Sequence, residues 1–230
     1  MNLLPWKGKI CNFDCIYCEV GWNKDGLADS KMPDAEEVHA ALEAKLHRCL
    51  EDGTVLDSIT FSGDGEPTLN PDFPKIVRDT IALRDRYFPK VAVSVLSNAT
   101  RLNRDEIFGA LRMVDNPILK LDAPTDELAA RINQPNFKYS VSEVVKSLER
   151  FEGDFILQTM FLRSENFDSS SPEVLLPWMD IVRRLRPREV MIYSLARPTP
   201  ASNLVKFSAA QMRELVQPLI NEGFKIKINE

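Results

Sequence analysis

A chain of 230 residues, 44% apolar and 27% charged, can bury a full core, and its polar residues are too evenly spread for a membrane span. The 29 basic and 34 acidic residues leave a net charge of −5, so no overall field draws the chain to nucleic acid. Three of the four cysteines fall within eight residues, which is not the spread of a secreted disulfide framework; with no targeting segment legible, a single cytoplasmic domain over 1–230 is expected.

In chain order, residues 1–4 are too short for a convincing first strand, so a strand ahead of the cysteines is expected to be short or missing. Next comes Cys11-Asn12-Phe13-Asp14-Cys15-Ile16-Tyr17-Cys18, whose thiols at spacings of four and three can wrap one inorganic centre. Soft thiolates select iron-sulfur or zinc over hard cations. Three cysteines on a 4Fe-4S cluster would leave one iron without a protein ligand, open to a substrate or cofactor. Gly8 and Gly21 permit close backbone approach, Phe13, Tyr17 and Trp22 can exclude water, and Lys7 and Lys9 can offset negative charge.

Pro33 and Asp34 then open a helix with the apolar stripe Val38, Leu42, Leu46 and Cys49, which makes Cys49 a structural thiol and leaves His39 and His47 as ordinary helix-surface histidines. Nearly continuous apolar runs at 58–62, 91–97, 118–122, 155–161 and 190–195 predict strands covered on both faces, and the lysine-interrupted run 224–228 predicts an edge strand. Helices fall between them: Ser140 with Glu143 predicts a capping box, Ser171 with Pro172 opens a second, and Ser208 with Gln211 caps a third that ends at Gly223. The run Arg183, Arg184, Arg186, Arg188 reads as a solvated helix end next to a strand. The strand-helix alternation predicts an α/β fold, a closed barrel, a partial barrel or a doubly wound sheet, with chemistry at the carboxyl ends of the strands. Those ends carry Ser97 and Asn98, Asp122, Gln158, and Tyr193 with Ser194, while Arg163 and Arg197 have the fork that clamps a carboxylate or phosphate.

The C-x-x-x-C-x-x-C spacing with Tyr17 before the last cysteine resembles the signature of the radical SAM superfamily, and Ser62-Gly63-Asp64-Gly65-Glu66-Pro67, after a strand, resembles its Gly-Gly-Glu-Pro motif with Asp64 in place of the first glycine. The resemblance implies a partial (β/α)6 TIM-like barrel with a short or missing first strand. It also implies a 4Fe-4S cluster on Cys11, Cys15 and Cys18, and S-adenosylmethionine bound by Tyr17, Gly65, Glu66, Asn98, Asp122 and Gln158. An electron donor such as flavodoxin or ferredoxin would reduce the cluster, and reductive cleavage would yield a 5′-deoxyadenosyl radical that takes hydrogen from a substrate the sequence does not name. A non-catalytic zinc or cluster module is the competing class, and it leaves Gly65, Glu66 and the polar strand ends without a task.

The strings Asn-Leu-Leu-Pro, Gly-Glu-Pro-Thr-Leu-Asn-Pro and Leu-Ser-Asn-Ala-Thr look like iron-sulfur oxidoreductases related to the wyosine synthases of transfer RNA, over residues 2 to about 198. Archaeal wyosine enzymes carry further cysteines ahead of this region, whereas this sequence starts at Met1, and the acidic balance does not support a nucleic-acid partner. No membrane partner is expected.

Overall fold

The computed structural model describes residues 1–5, 8–23 and 31–229, so Lys7 lies outside the described residues. The chain divides into two compact units, Met1–Cys11 with Asn23–Ser97 and Arg101–Ile118, and Asn12–Trp22 with Asn98–Thr100 and Leu119–Glu230.

In the first unit α1 (Ala35–Glu51) starts as its sequence predicts. The Asp34 carboxylate accepts the Glu37 N–H at 2.9 Å, the Glu37 carboxylate accepts the Asp34 N–H at 2.9 Å, and Val38, Leu42, Leu46 and Cys49 form the buried stripe. β1 (Ser58–Phe61) then leads through a 3₁₀ turn at Pro67–Leu69 and α2 (Phe73–Tyr87) to β2 (Ala92–Ser97), which pairs parallel to β1 from Ser58 opposite Ala92 to Phe61 opposite Val95. α3 (Asp105–Met113) follows, and α2 packs against both α1 and α3. Sequence signals for α2 and α3 are weak because neither has a side-chain cap of its own; the Asp72 carboxylate instead accepts the Ala35 N–H at 3.1 Å and so caps α1.

The expected stub at residues 1–4 is present without being a strand: the amino group of Met1 donates to the Thr60 carbonyl and the Ser62 N–H donates to the Met1 carbonyl at 3.0 Å, which lays the segment along β1. Asp115, just ahead of β3 (Asn116–Lys120), accepts the Val93 N–H and an Arg84 N–H, each at 2.7 Å. Burial raises the pKa of its carboxyl, but these two donors outweigh burial and hold it below the usual carboxylate range.

The second unit holds α4 (Asp126–Ile132), α5 (Val141–Glu149), β4 (Ile156–Met160), β5 (Leu162–Arg163), α6 (Pro172–Leu185), β6 (Glu189–Tyr193), β7 (Val205–Lys206), α7 (Ala209–Leu215), α8 (Gln217–Asn221) and β8 (Ile226–Asn229). β4, β6 and β8 pair in parallel, and β5 and β7 pair antiparallel in a small ribbon. The α/β class and the edge position of the lysine-bearing last strand are as expected.

Three local expectations change. The capping box at Ser140 does not form: its hydroxyl lies 2.9 Å from that of Ser142, and the Val141 N–H donates to Asp126 at 2.7 Å, a stronger, charged acceptor. The last helix breaks at Val216 into α7 and α8 because Pro218 has no N–H to continue the ladder, although the box of Ser208 and Gln211 is formed. The strand expected at 118–122 runs two residues earlier, so Asp122 lies past its end, where the side chain can turn inward.

Candidate functional site

In the first unit the approach to the cysteines is fastened to the Gly-Asp-Gly-Glu-Pro turn. The Ile10 N–H donates to the Asp64 carbonyl and the Glu66 N–H to the Ile10 carbonyl, each at 3.0 Å, so Ile10 pairs with Gly65 like a short parallel strand. Gly65 has φ +142°, and a Cβ there would overlap the Ile10 carbonyl, so this position requires glycine. Glu66 is 2% exposed; its Oε1 accepts the Thr68 N–H at 3.1 Å, the Thr68 hydroxyl at 2.6 Å and the Ser97 hydroxyl at 2.9 Å. Three donors on one oxygen fix the carboxylate at the carboxyl ends of β1 and β2. Cys11 donates its N–H to the Asn23 side chain at 3.2 Å, and Lys9 is buried.

In the second unit the rest of the loop lies along the end of α4, whose orphan carbonyls it satisfies: the Asp14 N–H donates to the Asn133 carbonyl at 2.9 Å and the Ile16 N–H to that of Ile132 at 3.0 Å. Tight turns follow, with the Cys18 N–H on the Cys15 carbonyl and the Gly21 N–H on the Cys18 carbonyl, both at 3.0 Å. Gly21 is needed for its φ of +94° rather than for space, since nothing lies within 4 Å of a Cβ built there. Cys15 is buried, Cys11 and Cys18 are half-buried, and all three are free thiols. Phe13 and Tyr17 are buried as expected, while Trp22 is only partly covered.

Behind Cys15 is a polar knot centred on Asp122, 3% exposed. Its carboxylate accepts the Tyr17 hydroxyl at 2.5 Å, the Asn133 amide at 2.6 Å and the Met160 N–H at 2.9 Å, with the Lys120 ammonium at 3.2 Å. Lys120 and Asn133 also reach the Cys15 sulfur, at 3.5 and 3.4 Å. Burial and the Asp122 carboxylate hold the Tyr17 hydroxyl well above the ordinary phenol range, which keeps it a donor. Burial works against the charge on Lys120, yet Asp122 and the Cys15 sulfur hold its pKa well above the usual lysine range. Tyr193 packs edge-on to Tyr17 at 6.5 Å, and burial pushes its hydroxyl up to about 12.

The remaining strand-end residues are bound locally. Asn98 donates to the Asn12 side chain at 2.7 Å and accepts the Thr100 hydroxyl at 2.7 Å, tying the strand end to the cysteine loop. Gln158, expected at a strand end, is instead the middle residue of β4 because the strand runs on to Met160, and it donates to the Met191 sulfur at 3.7 Å; Ser194 donates to the Phe161 carbonyl at 2.7 Å. Arg163 pairs with Asp168 at 2.5 Å and, with Arg131, Gln134 and Asn166, lines a cleft of about 600 Å³; Arg197 pairs with Glu19 at 3.1 Å. The arginine run is held by ion pairs, Arg183 to Glu222, Arg184 to Glu149 and Arg188 to Asp154. His39 and His47 sit on α1, where His47 contacts Tyr87 at 3.0 Å, and Cys49 is buried as expected.

Lys120, Asn133, Asn12 and Thr100 escaped the sequence reading. For Lys120 the signal was a charge inside an apolar run; the other three read as loop or helix-end residues. Among the described residues no group of three or more His, Cys, Asp or Glu side chains is gathered as for a single metal ion. The loop's donor chemistry nonetheless fits an iron-sulfur cluster: three thiols, with N–H donors already aimed at one of the sulfurs.

A parallel α/β fold with a thiol loop fastened to a Gly-Glu-Pro turn defines a class of cofactor-dependent enzymes, and comparison with known proteins identifies it. The profile of the Radical SAM superfamily matches residues 7–169, and the chain belongs to that family, whose members use a 4Fe-4S cluster and S-adenosylmethionine. It is 29% identical over 198 residues, 83% of its length, to a protein named GTPase Obg of Brachyspira hyodysenteriae, and 22% identical over 227 residues, 96% of its length, to a UPF0026 protein of Methanocaldococcus jannaschii. The chain spans 27% and 66% of those relatives' lengths. Its fold is similar to the crystal structure of a radical SAM methyltransferase from Sphaerobacter thermophilus, with a TM-score of 0.72 and 20% identity, over 95% of this chain and 63% of that one. No helix among the described residues is long and apolar enough to cross a membrane.

Proposed function

We propose that the chain binds a 4Fe-4S cluster through Cys11, Cys15 and Cys18 and cleaves S-adenosylmethionine reductively. The observation that carries this reading is the backbone pairing of Ile10, next to the first thiol, with Gly65 and Glu66. That pairing puts the loop stem and a buried, positioned carboxylate into one rigid unit, as cofactor chelation beside a cluster requires. When bound and reduced, the cluster supplies one electron that breaks a carbon-sulfur bond of the sulfonium, leaving methionine and a 5′-deoxyadenosyl radical that takes a hydrogen atom from the substrate.

The chain's own residues supply position and shelter. Gly65 lets the main chain come close, Glu66 accepts the methionine ammonium, and Asn98 just past β2 and Gln158 within β4 contact the remaining polar groups. Asp122 and Tyr17, expected to contact the cofactor, are buried and bonded to each other, so their role here is to hold the loop, and Phe13 and Tyr17 keep water from the sulfurs. The cleft lined by Arg131 and Arg163 suits a polar or anionic substrate.

The finer resemblance to wyosine-type enzymes of transfer RNA rests on the strings after Met1 and around Glu66 and Asn98. The net charge of −5 speaks against it. A one-electron donor such as flavodoxin or ferredoxin is the proposed redox partner.

The test is anaerobic reconstitution followed by incubation with S-adenosylmethionine and dithionite. Formation of 5′-deoxyadenosine with methionine is expected, and Glu66→Gln should lower its rate about 10–100-fold, an effect of about 1.4–2.8 kcal/mol. A reconstituted cluster that yields no 5′-deoxyadenosine would leave the chain a metal-binding module.

A further inference from the structure

Cys15 differs from the other two thiols in its surroundings. Its sulfur is buried and faces two nitrogen donors, the Asn133 amide at 3.4 Å and the Lys120 ammonium at 3.5 Å. Both are held from behind: Asn133 is 2% exposed and bonded to Asp122 at 2.6 Å, while Lys120 is paired with Asp122 at 3.2 Å and lies 4.4 Å above the Tyr17 ring. A lysine with only 14% of its side chain exposed and its ammonium aimed at a thiol is expensive to maintain for packing alone, since loss of water disfavours its charge.

Hydrogen bonds to cluster sulfurs and nearby positive charge are among the main determinants of an iron-sulfur potential, because the reduced form carries one more negative charge than the oxidised form. We infer that Lys120 and Asn133 are positioning residues that raise the reduction potential of the centre bound at Cys15, Lys120 by charge and N–H donation and Asn133 by N–H donation; this rests on the cluster reading proposed above. Asp122 does not cancel the effect, because three further donors, Tyr17, Asn133 and the Met160 N–H, share its charge. The step concerned is the uptake of one electron from an external donor, with no proton moved and no bond broken.

The test is an anaerobic redox titration with dithionite, followed by electron paramagnetic resonance, with iron content measured on the same samples. Lys120→Met and Asn133→Ala should each bind as much iron as the natural chain and shift the reduction equilibrium about tenfold toward the oxidised form, or about 59 mV for a one-electron couple. Lys120→Arg, which keeps charge and donor, should stay within about twofold. Because Asn133→Ala keeps Lys120 paired with Asp122, it carries the test even if Lys120→Met fails to fold. Unchanged potentials in variants that hold the cluster would overturn the inference alone. A natural chain that takes up no cluster would overturn the reading beneath it as well.

Discussion

Alanine at Cys11, Cys15 or Cys18 is expected to bring bound iron and sulfide to background after anaerobic reconstitution and to abolish 5′-deoxyadenosine formation, whereas Cys49→Ala keeps both. Each of the three thiols is the sole protein ligand proposed for one iron, and two thiolates on a loop this short cannot hold the cluster against solvent. Cys15→Ala should also leave the amide of Asn133 and the ammonium of Lys120 without the sulfur they face. Cys49 is 4% exposed on the apolar stripe of α1, and trimming it should cost about 1–2 kcal/mol of stability with no loss of iron. Iron and sulfide assays with a thermal melt on each variant distinguish the two outcomes; iron lost from Cys49→Ala alone would assign the wrong thiols.

Gly65→Ala is expected to be the most damaging single-methyl change in the first unit. The new Cβ would lie 2.5 Å from the Ile10 carbonyl carbon and 2.8 Å from Leu4 Cδ1, on a backbone with φ +142° that L-residues avoid. The Ile10 carbonyl is backbone and is held by the Glu66 N–H, so it cannot yield without unpicking the fastening of the loop stem. A destabilisation of about 3–5 kcal/mol is expected, or about 10 °C in melting temperature, together with poor cluster uptake. Gly63→Ala is the comparison: its Cβ would lie within 2.8 Å of Oδ1, Cγ and Cβ of Asn2, so that residue must shift and give up its bonds to Asp64 and the Leu4 N–H, but no left-handed backbone is involved, and the cost should be about 2 kcal/mol. A Gly65→Ala melt no lower than that of Gly63→Ala would mean the turn is not rigid.

Whereas β5 and β7, at two residues each, are too short to leave a pattern, the six longer strands were legible because each is an apolar run of the right length. The boundary of β3 was not, because Pro117 argues against a strand, yet it sits at the second position of one whose remaining residues follow the ladder. The helices that could be read were those with Ser, Asp or Pro ahead of an apolar stripe, whether the cap forms, as at Asp34 and Ser208, or not, as at Ser140 and Ser171; α2 and α3 start without a side-chain cap, and Asp72, which looks like one, serves a different helix. For the site, the thiols and the Gly-Asp-Gly-Glu-Pro turn are local strings and were visible. The partners of Cys15 were not: Lys120 and Asn133 lie 105 and 118 residues along the chain, and such contacts leave no spacing to recognise. Asp122 was visible as a polar strand end, but its role as a buried hub depends on four donors brought together by folding.

The proposed binding of S-adenosylmethionine at an iron without a protein ligand is the point on which the functional reading turns. The electron paramagnetic resonance spectrum of the dithionite-reduced protein, recorded with and without S-adenosylmethionine, probes it directly. A 4Fe-4S signal whose g-values change when the sulfonium compound is added is the predicted result. A zinc-loaded protein without that signal, or a cluster spectrum indifferent to the compound, would contradict it.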